Sequence, residues 1–190
     1  AKMKYSYLVS GLNNEAKKWS FDGALSDIKQ AIAIQDLPIY TQLEGDIHYL
    51  KQDYNSALAS YKKVNESNIR SASTIFTEAK TLEMLETPAE EVLVLMDSCV
   101  AQFNKPYSAD AAPYLIERAR VRMEAKQARN AVLDYDECYA ALLGNVNDGF
   151  YNLRGQACLE SKQYQRALAD FTKAIELNPR ELTYYSELAY

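Results

Sequence analysis

The clearest pattern in the chain lies in residues 151–179, which read YNLRGQACLESKQYQRALADFTKAIELNP. Small and aromatic residues recur there at helical spacing: Tyr151, Gly155, Tyr164, Ala167, Phe171 and Ala174. The stretch closes on Pro179, where a helix should stop. We interpret it as a helical hairpin in which small residues let two helices approach closely, while aromatic side chains fill the space between neighbouring hairpins.

The same frame recurs along the chain. Five units are spaced 33, 34, 40 and 36 residues apart, counted on one position of each first helix, which is small in every unit but the first: Leu12, Gly45, Ala79, Ala119 and Gly155. The frame predicts close helix crossings and aliphatic or aromatic wedges in the second helices, at Ala24, Ala57, Ala131 and Ala167, and at Ile28, Tyr61, Tyr135 and Phe171. The third unit fits least well, with Glu91, Leu95 and Ser98 in these positions. A single hairpin cannot bury its apolar face, so the units must stack.

The pattern resembles the tetratricopeptide repeat, a helix-turn-helix unit of about 34 residues. The resemblance implies an all-α fold, a right-handed α-solenoid of stacked helical hairpins. It makes residues 1–190 a single array, with units at about 5–36, 38–68, 72–105, 111–144 and 148–179 and the start of a sixth unit at 182–190. The degenerate repeats and the Arg154-Gly155 pair resemble bacterial members of the family.

Residues 182–190, LTYYSELAY, continue the frame into the opening positions of a sixth unit. Terminal repeats normally present a polar outer face, and this segment is not polar. We therefore expect the sequence to be part of a longer array.

The composition favours long helices and argues against several functional classes. With only 6 Gly and 5 Pro in 190 residues, a turn-rich sandwich or barrel is disfavoured. A net charge of −5 gives no electrostatic footprint for nucleic acid, and no apolar run approaches the roughly 18 residues of a transmembrane helix. The first twenty residues lack a signal-peptide pattern, but a leader can be removed, so cytoplasm and periplasm both stay open.

The residues of common catalytic and metal sites are scarce. His48 is the single histidine, the three cysteines form no CxxC pair, and the glycines form no phosphate-binding loop. We therefore predict no metal, no cofactor and no catalytic site. His48, Cys138 and Cys158 fall on packing positions of the repeat frame.

In the tetratricopeptide family, the first helices line a concave groove that binds a segment of a partner protein. Carried onto this sequence, the resemblance implies a non-catalytic interaction module or scaffold. The predicted groove combines amide, charged and apolar residues, and this mixture suits the binding of a peptide. The predicted groove residues are Asn13, Gln42, Asp46, Tyr49, Phe76, Lys80, Arg120, Met123, Asn152 and Gln156.

Two other functions stay open. The array can serve assembly, with residues 182–190 stacking on another domain or on a second copy of the chain. An enzyme activity carried by further chain is the third option, because fold does not determine function.

Three local features add expectations. Residues 104–110 are an insertion that is either a binding loop or a passive connection. Residues 87–90, Thr-Pro-Ala-Glu, predict a capping box at the start of a helix. Arg120 is expected to pair with Glu117 and Glu124 at helical spacing, although Arg120 and Lys80 are also candidates to attract an acidic group.

Overall fold

The computed structural model describes residues 21–67 and 70–187, and within these ranges the chain is helical, with no strand. Ten α-helices follow one another in these two ranges: α1 Phe21–Ile34, α2 Pro38–Leu50, α3 Tyr54–Glu66, α4 Ala72–Met84, α5 Ala89–Val100, α6 Ala112–Glu124, α7 Ala128–Ala141, α8 Asp148–Glu160, α9 Tyr164–Leu177 and α10 Thr183–Glu187. A short 3₁₀ turn, Ala109–Ala111, precedes α6. The all-α fold of helical hairpins predicted from the sequence is confirmed.

The helices form two compact units, divided between Arg70 and Ser71. In the first unit α1 packs on α2, and α2 pairs with α3. In the second unit the hairpins are α4–α5, α6–α7 and α8–α9, and α6 packs on α5 as α8 packs on α7. Consecutive hairpins of the second unit therefore stack.

In two hairpins an aromatic side chain of the second helix packs directly on a glycine of the first helix, as the repeat frame predicts. A Cβ atom at Gly45 would lie 2.7 Å from Cε1 of Tyr61, and a Cβ atom at Gly155 would lie 2.7 Å from Cε1 of Phe171. Tyr61 and Phe171 are themselves buried. The missing side chain lets each aromatic ring lie directly against the first helix of its own hairpin.

The predicted crossing and wedge residues are buried in the second, fourth and fifth units: Ala57, Ala131 and Ala167, with Tyr61, Tyr135 and Phe171. The first unit differs, because Ala24 and Ile28 of α1 are only half-buried and Leu25 is the buried residue of that helix. The first predicted helix, with Leu12 and Asn13, lies outside the described residues.

The predicted frame of the third unit is wrong by one residue. Val92, Met96 and Cys99 of α5 are buried, whereas Glu91 is exposed and Leu95 is only half-buried. Ala79 and Val92 are 13 residues apart, while the matching residues Gly155 and Ala167 are 12 apart. One extra residue in the turn before α5 shifts the whole helix, because a helical face depends on its register.

The helix ends are set by turn and cap chemistry. Asp53, Ser71 and Asn147 cap α3, α4 and α8, each accepting a hydrogen bond from a backbone N–H three residues later. The predicted capping box is wrong, since α5 begins at Ala89 with no side-chain cap, and the Thr87 N–H donates to the Leu82 carbonyl at 3.1 Å. As expected, α9 ends at Leu177, two residues before Pro179.

In each of the hairpins α6–α7 and α8–α9, a buried ion pair joins the two helices. Arg118 on α6 donates to both carboxylate oxygens of Asp134 on α7, at 3.0 and 2.5 Å. Arg154 on α8 donates in the same way to Asp170 on α9, at 2.9 and 2.7 Å. Since each arginine lies 16 residues before its aspartate, the two pairs are repeats of one contact.

Candidate interaction surface

Lys80 on α4 and Arg120 on α6 belong to one ion-pair cluster. Nζ of Lys80 lies 2.6 Å from Oε1 of Glu117, and Nε of Arg120 donates to the same oxygen at 2.8 Å. Both cations also contact Glu83, and Arg120 pairs with Glu124. The predicted pairing of Arg120 with Glu117 and Glu124 is thus confirmed.

The charges of this cluster compensate each other. Burial, the largest single effect, disfavours the charged forms, but the hydrogen bonds and charge attraction of Glu117 and the neighbouring carboxylates together outweigh it and raise the pKa of both Lys80 and Arg120. Burial likewise opposes ionisation of Glu117, yet the hydrogen bonds from Arg120 and Lys80 hold its pKa below its usual value. With three carboxylates for two cations, the cluster has a formal charge of −1. Lys80 and Arg120 therefore offer no unpaired cation to an acidic group, contrary to the sequence-based expectation.

Aromatic residues lie beside this cluster. Phe76 of α4 meets Tyr114 of α6 edge to face, with ring centroids 5.3 Å apart, and Tyr114 also contacts Phe103 at 5.2 Å. Met123, another predicted groove residue, packs on the apolar core of the second unit. Phe76 and Met123 are half-buried, so each combines a packing role with some exposed apolar surface.

The insertion at 104–110 is fixed by its own contacts. Tyr107 packs against the apolar core, Lys105 pairs with Glu137 of α7, and Nζ of Lys105 lies 5.2 Å from the centre of the Tyr107 ring. These contacts favour the passive connection over a projecting binding loop.

Asn152 and Gln156 lie one turn apart on α8 and are both half-buried. The side-chain oxygen Oδ1 of Asn152 is buried and has no hydrogen-bond partner among the described residues. A buried amide oxygen without a donor is costly, by about 1–3 kcal/mol, and such atoms are rare in folded proteins.

The remaining predicted residues lie on α2, in the first unit. Tyr61 donates a hydrogen bond to Asp46 at 2.8 Å, and burial, only partly offset by that bond, raises the pKa of Asp46. Tyr49 packs edge to face on Tyr54, with ring centroids 5.4 Å apart, and Gln42 is half-buried. Asn13 lies outside the described residues.

The residues weighed as possible catalysts are packed. All three cysteines are buried, and burial raises the pKa of Cys99 to about 12 and that of Cys138 to about 11. These thiols are therefore protonated at neutral pH and poorly nucleophilic. His48 is largely buried, with Nδ1 at 3.2 Å from Oδ2 of Asp53. In the described ranges no three His, Cys, Asp or Glu side chains cluster as a metal site would need.

Among the described helices, none combines the length and the apolarity that crossing a membrane requires.

Comparison with known proteins identifies the repeat. Residues 150–181 match the family model of the tetratricopeptide repeat. The crystal structure of MamA superposes with a TM-score of 0.70 at 18% identity, covering 90% of this chain and 98% of that one. That of YrrB superposes with a TM-score of 0.73 at 14% identity, covering 92% and 87%. Residues 150–181 therefore match a tetratricopeptide repeat, and the described helices share the fold of these solved structures.

Further tetratricopeptide-type structures agree with this fold. MamA from Desulfovibrio magneticus RS-1 superposes with a TM-score of 0.69 at 15% identity, covering 95% of this chain and 96% of that one. YrrB is described as a tetratricopeptide-repeat protein with an unusual peptide-binding site. No curated protein sequence is significantly similar to the chain. Tetratricopeptide-repeat proteins are in general non-catalytic modules of protein–protein interaction, and this is the functional class that the fold indicates.

Proposed function

We propose that this protein binds a peptide segment of a partner protein along the first helices of the hairpins in its second unit. The observation that carries the proposal is the unpartnered Oδ1 of Asn152. A peptide backbone N–H is the donor that such an oxygen lacks, and satisfying it recovers a cost that the free protein bears. Gln156, one turn further along α8, adds a second amide to the same helix face.

The ion-pair cluster between α4 and α6 supports a particular kind of peptide. Lys80, Glu83, Glu117 and Arg120 hold one another in place, so a ligand meets a preorganised polar surface. Because the cluster carries an excess carboxylate, it favours a neutral or basic segment over an acidic one. The exposed part of Phe76 offers an apolar contact for a ligand side chain.

A random peptide library displayed on phage tests this function. Peptides selected on the wild-type chain should bind the Asn152→Ala variant about tenfold more weakly, because one hydrogen bond in a desolvated site is lost. Gln156→Ala should weaken them as well. Asn145→Ala makes the same chemical change at an exposed position between α7 and α8 and should leave the dissociation constant unchanged.

Equal affinity for the wild type and the Asn152→Ala variant would contradict the proposal. So would a loss of the same size in Asn145→Ala. Thermal unfolding of each variant, followed by circular dichroism, must first show the wild-type transition.

A second candidate function is assembly through the last hairpin. Leu93, Val132 and Leu168 each directly follow the crossing residue of their second helix. Leu93 and Val132 are 6% and 2% exposed, whereas Leu168 is 57% exposed, and Leu182 and Tyr185, which follow the same helix, are exposed as well. This apolar surface resembles the one that the preceding hairpins bury by stacking.

If a second copy of the chain covers this surface, sedimentation should show association that increases with concentration. The Leu168→Ser variant should then sediment as a monomer, while Leu133→Ser, at another exposed leucine, should associate like the wild type. A wild-type chain that stays monomeric at all concentrations would leave no support for self-assembly through this surface.

A further inference from the structure

A cavity of about 450 Å³ lies between the α6–α7 turn and the α8–α9 turn. Lys126, Arg129 and Lys162 line it together with one carboxylate, that of Glu160. All three cationic side chains are exposed, and none forms an ion pair with a residue that the structure describes. The wall of the cavity therefore carries a formal charge of +2.

This concentration of unpaired charge is unusual in the second unit. Among its described residues, Arg180 is the one further cation that has no carboxylate partner. All the others pair with a carboxylate: Lys80, Lys105, Arg118, Arg120, Arg122, Arg154, Arg166 and Lys173. Three of the four unpaired cations thus line one cavity. A random distribution of surface charge does not predict this arrangement.

The repeat geometry explains how two lysines reach the same cavity. Lys126 and Lys162 each lie seven residues after the small residue of their first helix, and both have a positive φ, of 60° and 65°. The same turn is therefore used twice, one hairpin apart. The matching residues of earlier units are Gln52 and Glu86, so the basic character belongs to the last two hairpins.

Backbone donors add to the cavity. The helix α7 begins at Ala128 without a side-chain cap. The N–H groups of Ala128 and Arg129, in its first turn, have no acceptor among the described residues. Unpaired N–H groups and the positive end of the helix dipole both favour an anion, and here they supplement the three cationic side chains.

We propose that this cavity binds a phosphate monoester. The group carries a charge of about −1.5 to −2 at neutral pH, which balances the wall, and its three oxygens match a set of several donors. Its source is either a phosphorylated side chain of a partner protein or a small phosphorylated molecule. The site is built from the hairpin turns and is independent of the peptide surface proposed above.

The test follows the amide resonances of Ala128 and Arg129 in a ¹⁵N-labelled chain. Three probes are titrated: inorganic phosphate, the peptide Ala-Ala-phosphoserine-Ala-Ala, and the same peptide with glutamate in place of phosphoserine. Saturable shifts of both amides are expected with the two phosphate probes and not with the glutamate peptide. Tighter binding of the phosphopeptide points to a partner protein, and equal binding of both phosphate probes points to a small molecule.

Variants assign the effect to the cavity. The Lys126→Gln, Lys162→Gln double variant should bind phosphate about tenfold more weakly, and the single Lys162→Gln variant should show an intermediate loss. Arg180→Gln removes an unpaired charge elsewhere and should bind like the wild type. The proposal is overturned if the two amides do not shift, if the glutamate peptide binds equally, or if the double variant and Arg180→Gln lose the same affinity.

Discussion

Replacing Asp134 by alanine is expected to lower the free energy of unfolding by about 3–5 kcal/mol. The carboxylate of Asp134 is 1% exposed and accepts two hydrogen bonds from Arg118, with Arg122 at 2.8 Å. Its removal leaves the Arg118 guanidinium, itself only 11% exposed, without its main partner. Urea denaturation followed by circular dichroism measures the loss.

The control for this prediction is Asp97→Ala. Asp97 contacts the same arginine at 3.1 Å but is 56% exposed, so its loss should cost only about 0–1 kcal/mol. The double variant Arg118→Met, Asp134→Leu should recover most of the stability, because it leaves no uncompensated charge at this contact. Equal losses for Asp134→Ala and Asp97→Ala would show that burial does not determine the strength of this ion pair.

Replacing Phe171 by alanine is expected to cost about 3–5 kcal/mol as well, through a cavity rather than through charge. The Phe171 ring is 2% exposed and lies against the backbone of Gly155, where no side chain can move in to fill the space. The loss should appear as a lower midpoint in the same urea titration with an unchanged slope.

Tyr164→Ala is the matched control for the Phe171 variant. Tyr164 is an aromatic residue of the same helix and of the same repeat frame, but it is 61% exposed. Its replacement should therefore cost less than about 1 kcal/mol. A Tyr164→Ala loss as large as that of Phe171→Ala would contradict the core assigned to this hairpin.

These two aromatic residues show what the sequence can and cannot predict about the fold. The spacing of Gly155, Ala167 and Phe171 correctly predicts a hairpin and its close contact, because small residues on the two facing helices leave room for the aromatic ring. The spacing places both Tyr164 and Phe171 in the repeat frame. It does not show which of the two is buried, because exposure depends on what packs against the helix. The third unit was misaligned for a related reason: one extra turn residue moves Val92 to the place predicted for Glu91.

The charged contacts are harder to predict than the helices. Arg118 and Asp134 are 16 residues apart on different helices, and only the recurrence of the pair at Arg154 and Asp170 signals it in the sequence. The pairing of Arg120 with Glu117 was predicted, because both residues lie on one helix at a fixed spacing. The contact of Lys80 with Glu117 depends on how two helices pack, which spacing along one helix does not encode.

The cavity at the hairpin turns was missed altogether. Lys126 and Lys162 were not among the residues predicted to bind a ligand, although they share one position of the repeat frame. A like charge repeated at the same turn of successive units is the signal that would have found them. Repeat proteins are suited to this kind of reading, since equal positions in neighbouring units lie at the same edge.

Site-specific photo-crosslinking in native cell extract tests the central claim, that the first helices carry a partner-binding surface. A photoreactive amino acid is placed at Gln156 on the first helix α8 or at exposed Leu133 on the second helix α7. We expect a discrete crosslinked protein from position 156, lost when Asn152 is replaced by alanine, and none from position 133. The same crosslink from both positions, or one from position 133 alone, would contradict the claim.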